Sequence, residues 1–399
     1  MAKIQRTIQP GQRIRVLIVD DSVVIRQLVT HALEADPAIE IVGVAANGSI
    51  AMAKIVQLNP DAVTLDIEMP EVDGLETLRR IRRDHGHLRV IMFSTLTERG
   101  AAITLEALSL GADDYVAKVS NEGSLDRSLH RLREELIPKI KQFFNVPDLR
   151  VAKPAPVPGA RTAAPAQAHH PMAPPPRPIA ACWEKPAVIV VGVSTGGPAA
   201  LSRIMPQFPA DFPVPFLIVQ HMPPLFTKLL ADRLNETCPL TVREAVEGAV
   251  LEPGKVWIAP GDYHMRIVPR GREFRVKLDQ GPTENSCRPA VDVLFVSAAE
   301  AFGGRTLAAV LTGMGRDGQR GCAVLKAKGA SVIVQDQATS VVWGMPGSVA
   351  QDGLADAILP LDEIPKEIMA RLGYPAGANC GPRVSQAAMG HGKEVPCPR

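Results

Sequence analysis

Two groups of residues in this chain have types and spacings suited to chemistry. In the first, Asp20 and Asp21 follow one aliphatic run, Asp66 a second, Ser94 a third and Lys118 a fourth. Carboxylates gathered in one crevice repel unless a hard divalent cation joins them, and Mg²⁺ accepts a few carboxylates, carbonyls and waters. An aspartate beside such an ion is placed to accept a phosphoryl group. The Ser94 hydroxyl would then take a phosphoryl oxygen, and the Lys118 ammonium would neutralise developing charge. Any one of these aspartates reads equally well as a helix cap. All five residues at successive strand ends read as a site.

The second group begins at Gly192-Val193-Ser194-Thr195-Gly196-Gly197-Pro198. A serine on a glycine-bounded turn from strand to helix presents its hydroxyl above a sheet, near helix N–H groups that can bind an oxyanion. Two rivals use the same turn. A phosphate-binding P-loop lacks its lysine here. A dinucleotide loop would need glycine at position 194 and an acid at the end of the next strand, where Gln220 and His221 stand. A plain helix cap is the third reading. His221 follows the run Phe216–Val219, and Asp317 lies in Thr312-Gly313-Met314-Gly315-Arg316-Asp317-Gly318 after Thr306–Leu311. Serine, histidine and aspartate at three strand ends fit nucleophile, base and orienter. Their order along the chain differs from the α/β-hydrolase, chymotrypsin and subtilisin orders. His264 and Asp292 compete as base and acid, and spacing alone does not choose.

Elements able to hold these residues are legible. Strand-like runs at Arg15–Val19, Ile39–Val44, Ala62–Leu65, Arg89–Phe93 and Tyr115–Val116 alternate with helical patterns such as Val23–Ala35, Ser49–Leu58 and Gly74–Arg83. Five β/α repeats imply a flavodoxin-like, doubly wound parallel sheet, in which strands one and three adjoin at the switch point. Residues 151–180 hold nine prolines and nine alanines, a density that no helix or ladder survives. We read 150–185 as an extended linker. The rhythm then resumes, with strands at Ala187–Val191, Phe216–Val219, Val256–Ala259, Thr306–Leu311 and Ser331–Val334. Helices are expected at Ala199–Met205, Leu225–Asn235, Asp292–Ala301 and Arg320–Lys328, and a hairpin within Tyr263–Leu278. These predict a second α/β domain with a mainly parallel sheet over 186–375. The Gly/Pro-rich tail 376–399 is expected to be disordered.

Composition narrows the function classes. A net charge of +2 over 399 residues provides no field for nucleic acid or an anionic membrane. No apolar run approaches the ~20 residues of a membrane span, and the polar, basic start carries no signal-peptide pattern. Six scattered cysteines without CxxC read as reduced thiols of a cytosolic protein.

The first domain, about 13–137, resembles the response-regulator receiver family through VLIVDDS, TLDIEMPEVDG, IMFST and DDYVAK. The resemblance implies Asp66 as phosphoacceptor. It also implies Asp20, Asp21 and Asp66 around Mg²⁺ with the Glu68 carbonyl, and Tyr115 as the aromatic switch beside Ser94 and Lys118. One departure stands out: Val119 follows the lysine where the family usually has a cis-bonded proline. A cis bond before valine would cost about 2.5–4 kcal/mol, so a trans bond or a strained loop is expected.

The second domain resembles the chemotaxis protein-glutamate methylesterases through VVGVSTGGP, VQHMPPLFT, WIAPGDYHM, SCRPAVDVLF, LTGMGRDG and QDQATSVVWGMP. This implies a triad of Ser194, His221 and Asp317, with the Met314 N–H as an oxyanion donor. Thr195, His264 and Asp292 would line or support the site. It implies hydrolysis of glutamate γ-methyl esters on chemoreceptors and deamidation of glutamines. The esterase step would need no metal, and a chemotaxis histidine kinase would be the phosphodonor. A receiver joined to a nucleotide-binding or scaffold module is the alternative.

Overall fold

The computed structural model describes residues 6–9, 11–95, 97–118, 125–145 and 184–374. The expected linker up to residue 183, the expected tail and the bond after Lys118 lie outside the described residues.

The first sheet holds β2 (Ile14–Val19), β3 (Ile39–Ala45), β4 (Ala62–Asp66), β5 (Arg89–Ser94) and β6 (Asp114–Ala117). It is parallel, in the order β3-β2-β4-β5-β6. Four of the five strands run almost wholly buried, because helices cover both faces. Those helices are α1 (Val23–Leu33), α2 (Gly48–Leu58), α3 (Gly74–Asp84), α4 (Glu98–Ser109) and α5 (Leu125–Lys141). Local chemistry starts them. Ser22, Asn47, Asp73 and Thr97 each accept a backbone N–H with their side chains at the N-caps of α1 to α4. A two-residue pair, β1 (Arg6–Thr7) with β7 (Phe144–Asn145), closes the unit beyond the bounds expected from sequence.

The main sheet of the second domain has seven strands: β8 (Val188–Val193), β9 (Phe216–Gln220), β10 (Thr241–Glu244), β11 (Lys255–Ile258), β14 (Thr306–Val310), β15 (Ser331–Gln335) and β16 (Ala357–Leu359). Their order is β10-β11-β9-β8-β14-β15-β16, and every pair is parallel. The expected hairpin forms as β12 (His264–Arg270) with β13 (Glu273–Asp279). Helices α6 (Gly197–Ile204), α7 (Phe226–Thr237), α8 (Val291–Phe302), α9 (Gln319–Ala327), α10 (Met345–Gln351) and α11 (Ile364–Arg371) complete it. The chain leaves central β8 towards β9 on one side and later builds β14 on the other. That reversal opens a crevice at the carboxyl end of β8, where such sheets bind ligands.

The two domains touch. Helix α4 packs on α6 and α7, and the buried ring of Tyr115 stacks on Phe226 with centroids 4.9 Å apart and planes 9° from parallel. Among the described residues no helix is long and apolar enough to cross a membrane.

Candidate active site and acidic pocket

Ser194 follows β8 and lines a cleft of about 660 Å³ together with Thr195, His221, Asn285, Cys287 and Met314. The turn needs its glycines. Gly196 adopts φ +78°, and a Cβ on Gly197 would come 1.9 Å from the Gln220 side-chain oxygen. Gln220 in turn donates to the Ser194 carbonyl at 3.0 Å, tying the nucleophile loop to the strand that carries His221.

His221 Nε2 meets Asp317 Oδ2 at 2.8 Å. An ionised carboxylate only accepts, so this contact places the neutral ring's proton on Nε2 and leaves Nδ1 as the basic nitrogen. Nδ1 faces the Cys287 sulfur at 3.7 Å. Burial depresses the imidazole, but the bonds to Asp317 and Cys287 outweigh it and carry the ring to about 10, well above an ordinary histidine. Asp317 is 2 % exposed, and burial alone would raise its carboxyl. The bond to His221 and the N–H groups of Val291 and Asp292 reverse that and hold it below the usual carboxylate range.

Neither of the two competing residues lines the cleft. His264 is buried, with Nε2 donating to the Pro282 carbonyl (2.9 Å) and Nδ1 accepting from the Ala290 N–H (3.3 Å). Both ring nitrogens are engaged by the segment that leads into α8, and His264 does not line the cleft. Asp292 accepts from Gly318 N–H (3.1 Å) and Gly321 N–H (2.7 Å), tying the loop of Asp317 and the start of α9 to α8. Thr195 lines the cleft, and its hydroxyl donates at 2.9 Å to Asp114 of the first domain. Asp114, Asn285 and Cys287 were not singled out from sequence. The DDYVAK and SCRPAVDVLF stretches were the available signals for Asp114 and Cys287; none marked Asn285.

In the first domain Asp20, Asp21 and Asp66 bring carboxylate oxygens within 4.8 Å of one another. Lys118 Nζ reaches Asp20 at 3.0 Å and Asp66 at 2.7 Å. Those same two buried oxygens receive no well-directed hydrogen bond, and an all-oxygen, under-donated set suits a hard cation. Burial, aided by the charge of Asp20 and opposed by Lys118, pushes Asp66 up to about 6. Glu68 lines the same pocket. The Ser94 hydroxyl is turned towards α4, 2.5 Å from Thr104 Oγ1. Tyr115 sits at the contact between domains, so the acidic pocket and the cleft are joined through β6.

A parallel sheet with an acidic pocket, beside a second parallel sheet bearing Ser194, His221 and Asp317 beyond its strand ends, has the architecture of a receiver-coupled hydrolase. The family profile for the response regulator receiver domain matches residues 16–130, and that for the CheB methylesterase matches residues 189–368. The protein-glutamate methylesterase/protein-glutamine glutaminase of Trichodesmium erythraeum is 48% identical over 90% of this chain and 99% of its own length. The one from Nocardioides sp. is 52% identical over 92% and 99%, and that of Thermotoga maritima 41% over 89% and 98%. This chain belongs to the CheB methylesterase family.

Proposed function

We propose that this chain is a phosphorylation-activated serine hydrolase that removes methyl groups from glutamate γ-esters of chemoreceptors and deamidates receptor glutamines. The observation that carries the reading is that Ser194 and His221 line one cleft while His221 is bonded at 2.8 Å to the buried Asp317 behind it. In its neutral form, the ring of His221 takes the Ser194 proton at Nδ1 as the hydroxyl attacks the ester carbonyl. The imidazolium then delivers that proton to the departing methanol, while Asp317 stabilises the charged ring. Met314, at the cleft wall, supplies the backbone N–H for the oxyanion. Water releases glutamate by the same steps, and an amide substrate loses ammonia in place of methanol.

Asp20, Asp21, Asp66 and the Glu68 carbonyl would hold Mg²⁺, which neutralises charge during phosphoryl transfer from a chemotaxis histidine kinase. Asp66 accepts the phosphoryl group, with Lys118 and Ser94 contacting its oxygens. The place of action is cytoplasmic, because the receptor helices that carry the esters are. The receiver restrains the hydrolase when docked: the Asp114–Thr195 bond and the Tyr115–Phe226 stack lie directly beside the site.

Methanol release from methylated receptor, with and without a small phosphodonor, tests the reading. Ser194→Ala should abolish release while the chain stays folded, and a fluorophosphonate should label wild type but not the variant. Near-normal release from the folded variant would sink the triad. A wild-type chain that neither releases methanol nor takes the label would favour the scaffold or nucleotide-binding alternative.

A further inference from the structure

Residues 284–287 form a turn closed on itself by two backbone bonds, Glu284 N–H to Cys287 O at 3.1 Å and Cys287 N–H to Glu284 O at 2.9 Å. Its two central residues, Asn285 and Ser286, take left-handed backbones with φ of 51° and 61°. Asparagine tolerates that region better than most residues. The shape of the turn delivers one amide between two buried carboxylates. Asn285 Nδ2 donates to Asp317 Oδ1 at 2.9 Å and to Asp292 Oδ2 at 3.0 Å. The Gly318 N–H is shared by the same two acids, at 3.0 and 3.1 Å.

We propose that Asn285 is a positioning residue for the hydrolysis, bridging Asp292 and Asp317 so that Asp317 stays ionised with Oδ2 aimed at His221. The proposal rests on the triad reading and deepens it. An amide suits the place because it donates two N–H groups and does not titrate. Asp317 Oδ1 is filled by Asn285, the Asp292 N–H and the Gly318 N–H; Oδ2 is filled by the Val291 N–H and His221. With both oxygens occupied the carboxylate has no reason to rotate. Burial and the neighbouring charge of Asp317 push the Asp292 carboxyl up, so Asp292 is the member of the pair that takes a proton first. Remove the amide, and the two acids face each other across a single glycine N–H.

The charged and titratable groups around the amide come from four elements. They are Asp292 on α8, Asp317 on the loop after β14, Arg320 on α9, and Glu284 and Cys287 of the turn itself. Arg320 pairs with Glu284 and lies 3.7 Å from Asp292. His221 stands beyond Asp317.

The test uses the full chain with phosphodonor, measuring methanol release as kcat and KM across about pH 6 to 9. Asn285→Gly deletes the amide while accepting the left-handed backbone. It should lower kcat by about 10–100-fold, the effect of losing a hydrogen bond to a charged group, and leave KM within about twofold. Asn285→Asp keeps the shape but adds a third carboxylate. Its protonated form still donates and its ionised form does not, so its deficit relative to wild type should grow as pH rises. Undiminished kcat in Asn285→Gly, a defect in KM alone, or an Asn285→Asp profile parallel to wild type would each overturn the role. Should Asn285→Gly unfold, the pH profile of the isosteric Asn285→Asp decides alone. An inactive wild type would refute the hydrolase reading itself, whereas an active wild type beside unimpaired variants refutes only the part given to Asn285.

Discussion

The two domains place aspartates at the same address, the carboxyl ends of parallel strands, and treat them in opposite ways. In the receiver Asp20, Asp21 and Asp66 crowd together with Lys118 as the cation bridging two of them, and Asp66 is pushed up to about 6. In the hydrolase Asp317 is just as buried and has Asp292 for a neighbour, yet its carboxyl is held below the ordinary range. Burial therefore does not decide the charge of either. Three backbone N–H groups, one amide and one imidazole donate to Asp317. The buried Oδ2 atoms of Asp20 and Asp66 lack well-directed donors. The receiver gathers more carboxylate charge than its one ammonium neutralises, the setting that the proposed Mg²⁺ site needs, while Asp317 is fully bonded in advance, as the proposed triad requires.

Replacing the satisfied acid should cost most. Asp317→Asn should cut turnover by roughly 10³–10⁴-fold through the wrong imidazole tautomer. It should also return His221 towards an ordinary histidine, read by NMR titration of the ring nitrogens, because the charge that raises it is gone. Asp292→Asn should do much less. If Asp292→Asn matches Asp317→Asn in both measurements, the contrast assigns the wrong carboxylate.

A smaller effect probes how the two regions communicate. Undocking the receiver should raise basal methanol release by about 5–150-fold, the span of a ~1–3 kcal/mol coupling. The fragment lacking residues 1–150 should show this rise and ignore phosphodonor, and Asp66→Asn in the full chain should stay low. A fragment no faster than the unphosphorylated whole would mean that phosphorylation activates directly or acts through receptor targeting.

The smallest effect concerns stability. With its folded carboxyl raised from 3.8 to about 6, Asp66 adds stability that is fully present below about pH 4 and is lost as pH rises through about 6. Mg²⁺ should therefore raise Tm by a few degrees more at pH 8 than at pH 5, and Asp66→Asn should flatten that difference. Equal shifts at both pH values in scanning fluorimetry would place the ion elsewhere.

Much of this was legible because buried parallel strands write continuous aliphatic runs, and β2, β4, β8 and β9 appear within a residue or two of where such runs lie. The edges of the second sheet were not legible. β10 is a half-polar four-residue strand and β16 has three residues, too short for any period to emerge. The choice between His221 and His264 needed hydrogen-bond partners from distant segments, and no spacing carries those. Tyr115 was marked by its motif, but its stacking on Phe226 depends on how two domains meet, which local pattern does not encode. Asn285 had no signal at all, being one polar residue in a short turn.

The stack of Tyr115 on Phe226, with α4 set against α6 and α7, has a thermodynamic consequence. Apolar side chains of both domains join in one continuous core, so neither domain can melt without exposing part of the other's wall. While docked, the chain should therefore unfold as a single cooperative unit, and a cavity cut under the receiver's α4 should weaken the hydrolase as well. Once the stack parts, that shared reserve is gone, and each domain stands on its own heat capacity and its own midpoint.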